Sequence, residues 1–156
     1  MKQLLTAALF CIALGSAATA QTTDTTALAK NREYSGAVAS KKHYRAIYQL
    51  DSNDPKVIEK AIRNINNALN DPRLKGKVQL ELITFAGGTE VVLKGSKYED
   101  ALKGLVLSGV IVAQCNNSLK ERKLTRDQVL DFVGIVPSGN GELIIREGDG
   151  WGIVKP

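Results

Sequence analysis

Cysteine and histidine are nearly missing from this chain, and their scarcity removes several chemistries at once. Its 156 residues hold two cysteines, Cys11 and Cys115, and a single histidine, His43. No Cys-x-x-Cys pair exists for dithiol redox work, and no His, Cys, Asp or Glu spacing suggests a metal site. Neither a metal nor any other cofactor is therefore expected. Aromatic residues make up only 5%, and the basic residues are scattered among acids instead of forming an aromatic-studded stripe. The net charge of +5 reads as a solvated basic surface, with no nucleic acid as partner. Long apolar runs are lacking too: only residues 4–14 are apolar for any length, too short to span a bilayer.

That run follows Lys2 and precedes Ala18-Thr19-Ala20, the layout of a secretory signal peptide over residues 1–20 with cleavage after Ala20. Cys11 lies inside the apolar core behind the bulky Phe10, so it is not read as a lipid acceptor. The expected mature chain is periplasmic or otherwise exported, with no stable membrane insertion after cleavage, and it keeps one thiol, Cys115. An exposed lone thiol in oxidising surroundings is a hazard unless it is buried, paired between chains, or used.

Residues 21–42 are rich in Thr, Ala, Ser and Lys without an apolar period and are expected to be a flexible leader. Residues 43–156 suffice for one domain. Residues 43–51 alternate as a first strand. Asp54 then caps a helix with Pro55 at its first position, and Val57, Ile58, Ala61, Ile62 and Ile65 recur at helical spacing. Residues 77–86 alternate again, with Val78, Leu80 and Leu82 set against Gln79 and Glu81, which suits a strand with one exposed face at the sheet's edge. Gly87-Gly88 reads as a turn. Residues 97–108 are helical, and Thr125 with Gln128 forms a capping box. Residues 132–136 read as a fourth strand. For residues 140–147 the pattern leaves a helix and a hairpin strand both open.

Between these lies an apolar run, residues 110–113, that ends in Cys115-Asn116-Asn117-Ser118. It predicts a buried parallel strand delivering a thiol to the start of a helix capped by those small polar residues. The alternation of strands and helices argues for a parallel α/β sheet with right-handed crossovers. If the strand order is 2-1-3-4-5, Asp51 and Asn53 face Cys115 and Asn116 across the gap at the chain reversal, where ligands collect. Asp51, Asn53, Gly87, Gly88, Asn116 and Asn117 are the candidate ligand-binding residues, and Cys115 is the candidate nucleophile. His43, at the start of the first strand, is expected about 25 Å from Cys115 at about 3.3 Å per residue, which excludes a cysteine–histidine dyad within one subunit.

The Cys115-Asn116-Asn117-Ser118-Leu119 turn, the Val-Pro-Ser-Gly at 136–139 and the closing Gly-Trp-Gly-Ile-Val-Lys-Pro at 150–156 resemble the DsrE/DsrF-like family of sulfur-relay proteins, in particular its exported single-domain branch. The resemblance implies a three-layer flavodoxin-like fold with a mainly parallel five-stranded sheet and a tail that is a helix followed by a strand. It further implies a homo-oligomer, a trimer or a multiple of one. By that resemblance Cys115 is a persulfide-forming thiol that exchanges sulfur with a donor or acceptor protein, which makes the chain a carrier rather than an enzyme with turnover. The alternative is a non-catalytic small-ligand-binding or oligomeric scaffold in which Cys115 is structural.

Overall fold

The computed structural model describes residues 17–156, so the expected signal peptide lies largely outside the described residues. Contacts divide the chain after Val38. In the first unit, helix α1 spans Ala17–Arg32, so the segment expected as a leader contains regular structure. It carries no apolar stripe, and Lys30 and Arg32 in its last turn complement the helix dipole. Among the described residues no helix is long and apolar enough to cross a membrane.

In the second unit five strands alternate with helices: β1 (Tyr44–Leu50), α2 (Pro55–Asn70), β2 (Val78–Thr84), α3 (Glu99–Leu107), β3 (Ile111–Cys115), α4 (Asn116–Glu121), β4 (Gly134–Val136), α5 (Gly139–Gly148) and β5 (Gly152–Val154). Short 3-10 helices occupy Ala86–Val92 and Arg126–Gln128. Local chemistry sets the boundaries. Asp54 accepts the Lys56 N–H at 2.9 Å and Pro55 opens α2. Thr125 and Gln128 form the reciprocal capping box. Ser138 accepts the Gly141 N–H at 3.2 Å at the start of α5, which resolves the tail as a helix and then a strand.

All four strand pairings are parallel. Their order is β4-β3-β2-β1-β5, which corrects the expected 2-1-3-4-5. Three successive crossovers step the same way across the sheet, and only the last connection returns past β1. With right-handed crossovers, three like steps put α2, α3 and α4 on one face and the return step puts α5 on the other. The two cores follow this division. Ile58, Ala61 and Ile65 of α2, Leu102 and Leu105 of α3, and Leu119 of α4 pack on Tyr48, Leu50, Leu80, Leu82 and Val112. On the opposite face Leu143 of α5 and Trp151 pack on Ile47, Ile83 and Ala113.

β2 is therefore central rather than at an edge. Glu81 had suggested a solvent-facing side, yet it is 0% exposed, because Arg146 of α5 reaches down to it with Nη2 2.7 Å from Glu81 Oε2. The edges fall to the three-residue strands β4 and β5, short enough to offer little template for further pairing.

Candidate functional site

Successive residues of a strand face opposite sides of its sheet. In β3, Val112 points into the three-helix core, while Ala113 points toward α5, and Cys115 shares that second side. Gln114 faces the first side and is completely buried. Its side-chain amide donates to Thr89 Oγ1 (3.1 Å) and to the Cys115 carbonyl (2.8 Å), and its Oε1 accepts from the Thr84 hydroxyl (2.7 Å). This knot of three polar side chains fixes the end of β3 at the point where the backbone turns into α4.

Cys115 is itself the N-cap residue of α4, in extended conformation. Asn116, Asn117 and Ser118, expected as caps, lie inside the helix instead. Ser118 is put to a different use. Its hydroxyl oxygen accepts the Ala86 N–H at 3.0 Å, which leaves its proton free to turn toward the cysteine sulfur. Ala86 has a positive φ of 47°, a strained conformation for a residue with a Cβ. Its peptide is gripped from both sides, since Arg122 Nη1 donates to the Ala86 carbonyl at 3.0 Å while Arg122 Nη2 pairs with Glu90 at 2.8 Å.

The first turn of α5 meets the thiol from the other direction. A Cβ added to Gly139 would lie 2.8 Å from the Phe85 ring and 3.3 Å from Cys115 Cβ, so a glycine is needed for the helix to sit this close. Cys115 is 5% exposed, and burial alone would raise its pKa. The N–H groups of Ser118, Gly139 and Asn117, with the Ser118 hydroxyl, outweigh burial and bring the thiol below its ordinary value. The amides come from the starts of two helices, where backbone N–H groups lack helical partners and favour negative charge.

The remaining candidates form a separate group at the end of β1. Asp51 accepts from Lys155 Nζ and Gln49 Nε2, each at 3.2 Å, and the Asn53 side chain bonds Glu90. Gly87 donates its N–H to the Asp51 carbonyl at 3.1 Å. Gly88 donates to the Phe85 carbonyl at 2.9 Å, and a Cβ on it would lie 2.1 Å from the Leu50 carbonyl oxygen. Close backbone packing thus accounts for the glycine pair. Asp51, Asn53, Gly87 and Gly88 are brought together, and Asn116 and Asn117 stand beside Cys115, but the two groups do not face each other across a gap. β2 runs between β1 and β3, and its continuation at Phe85 separates them.

His43 is exposed at the amino end of β1, beside Arg45 and Lys77, whereas Cys115 lies at the carboxyl end of the parallel β3. Among the described residues no group of His, Cys, Asp and Glu is placed to hold a metal. Four residues that shape the thiol site escaped the sequence reading: Phe85, Ser118 as a hydrogen-bonding residue, Gly139 and Gln114. Gln114, a polar residue inside an apolar strand beside the cysteine, was the one visible signal.

The profile of the DsrE/DsrF-like family matches residues 51–156. The solved structure of a protein of unknown function from Methanobacterium thermoautotrophicum is 27% identical, with a TM-score of 0.69, and the match covers 72% of this chain and 99% of that one. No curated protein matches significantly.

Proposed function

The chain belongs to the DsrE/DsrF-like family, and on that premise we propose that it is an exported sulfur carrier whose Cys115 holds sulfur as a persulfide. One observation carries the reading: a thiol shielded from solvent is nonetheless pulled toward its anionic form by the starts of α4 and α5. The thiolate is the form that attacks sulfur. Cys115 S⁻ attacks the terminal sulfur of a donor persulfide R–S–SH; a new S–S bond forms at Cys115, the donor's S–S bond breaks, and R–S⁻ leaves. No net oxidation occurs and no other cofactor is required. Burial then protects the bound sulfur from the oxidising surroundings that the signal-like residues 1–20 imply.

Mass spectrometry of the Cys115 peptide after treatment with polysulfide tests the proposal. Gain of about 32 Da units removable by a reductant is expected, with none in Cys115→Ser. An unreactive thiol in the folded protein, and ligand binding unchanged in Cys115→Ala, would favour the scaffold reading instead.

The carrier is also proposed to be a homo-oligomer, a trimer or a multiple of one. Supporting this, Ile144 and Ile145 on α5 are 70% and 61% exposed, and Ile111 and Ile153 at the borders of the same sheet face are 36% and 42% exposed. A monomer in sedimentation velocity would overturn it.

A further inference from the structure

We propose that Glu81 and Arg146 are positioning residues for the Cys115 thiol: their buried ion pair fixes the tilt of α5 and so keeps the first turn of that helix seated on the cysteine. The inference rests on the reading of Cys115 as the sulfur-bearing thiol.

Among the helices of the second unit, α5 alone packs on its face of the sheet. Its first turn is Gly139-Asn140-Gly141, which offers almost no side chain to hold it in place. Leu143 is the one large apolar side chain that α5 buries. A single apolar contact fixes a point on a helix but not its direction, so a second anchor is needed. Arg146 supplies it. Its Nη2 is 2.7 Å from Glu81 Oε2 and its Nε is 2.9 Å from Glu142 Oε1, distances of an ion pair, although the angles fall outside those of a hydrogen bond. The guanidinium also lies over the Trp151 ring, 4.2 Å from its centroid. Trp151 is held in turn, since its backbone N–H donates to the Arg146 carbonyl at 2.9 Å and Arg45 approaches its ring at 5.7 Å.

The location of Glu81 is what sets this pair apart from an ordinary surface contact. Cross-strand register places it in the row Ile153, Ile47, Glu81, Ile111. An apolar residue would complete that row at no electrostatic cost, whereas burial of the carboxylate pushes its pKa up even with Arg146 beside it. A core needs no such group there; a directional anchor does. At about 1.5 Å of rise per residue, Gly139 lies about 6 Å from Leu143 and Arg146 about 4.5 Å on the other side. A pivot about Leu143 therefore moves Gly139 by slightly more than it moves Arg146.

The test is the pH dependence of iodoacetamide alkylation at Cys115, followed by mass spectrometry of its peptide in the full chain. Glu81→Gln removes a negative charge roughly 13 Å from the thiol, four residues along the sheet at about 3.3 Å each. That loss acting directly would lower the thiol pKa. If the ion pair works by seating α5, the midpoint rises instead, and the thiolate present at pH 7 falls about threefold, the loss expected when one helix start withdraws. Arg146→Lys keeps a cation beside Glu81 and is expected to rise less, while Glu142→Gln, which leaves the sheet anchor in place, should not raise the midpoint. A depressed wild-type midpoint that stays put or falls in folded Glu81→Gln, or does not rise in Arg146→Lys where Glu81→Gln fails to fold, overturns the positioning role alone. A wild-type midpoint at the ordinary thiol value of about 8.5 overturns the reading of Cys115 itself.

Discussion

The two faces of one sheet are built on different terms. Three helices cover the first face, and its core is apolar almost throughout, from Ile58 and Ile65 to Leu102, Leu105 and Leu119. One helix of the same unit covers the second, and there a thiol, a buried carboxylate, a guanidinium and an indole lie among a few aliphatic side chains. Burial of apolar surface holds helices broadly in place but without fine direction. Ion pairs, caps and glycine contacts have geometry. The second face therefore has the means to aim a helix at one atom, and the face with the weaker covering is the one that carries the candidate chemistry.

This contrast can be broken in several ways. The largest effect is expected from Leu102→Ala, at the fully buried centre of the three-helix face, which should cost about 2–5 kcal/mol in urea unfolding while leaving the alkylation midpoint of Cys115 unchanged in the folded fraction. A shift in that midpoint as large as that of Glu81→Gln would mean the two faces are not independent. Gly139→Ala should cost less, about 1–3 kcal/mol, because its new methyl meets the Phe85 ring and Cys115 Cβ. It should also lift the first turn of α5 and slow alkylation near neutral pH. Unaltered reactivity in that variant would show that α5 does not bear on the thiol. Ile144→Asp combined with Ile145→Asp should change the stability of the folded chain by no more than about 0.5 kcal/mol yet weaken self-association in sedimentation velocity. Association unchanged by both aspartates would place any oligomer interface away from α5.

Much of the fold was legible because its signals are local. Asp54-Pro55 and Thr125 to Gln128 act over a few residues, and each formed the cap that its chemistry specifies. The parallel α/β architecture followed from alternating periodicities. The position of β2 did not, since a glutamate at every-other spacing carries the same pattern whether it meets water or an arginine 65 positions away. Strand order was equally hidden. The same run of strands and helices satisfies 2-1-3-4-5 and 4-3-2-1-5, and choosing between them depends on which strands tolerate an edge. Asp51 and Asn53 were read together with the cysteine only through the wrong order. The tail stayed ambiguous between helix and hairpin until the Ser138 cap and the inward pair Leu143 and Arg146 settled it as α5.

By itself the sequence determined where most elements of the second unit begin and end to within a few residues, and that Cys115 lies where a strand turns into a helix. These are consequences of backbone preference and capping, which act within a turn or two of the chain. Tertiary structure alone decided that α5 packs on the face opposite α2, α3 and α4, that Glu81 is inside, and that a second helix start from Gly139 meets Cys115. Each depends on groups far apart in sequence, and no local pattern records what will neutralise a buried charge or approach a sulfur atom from across the sheet.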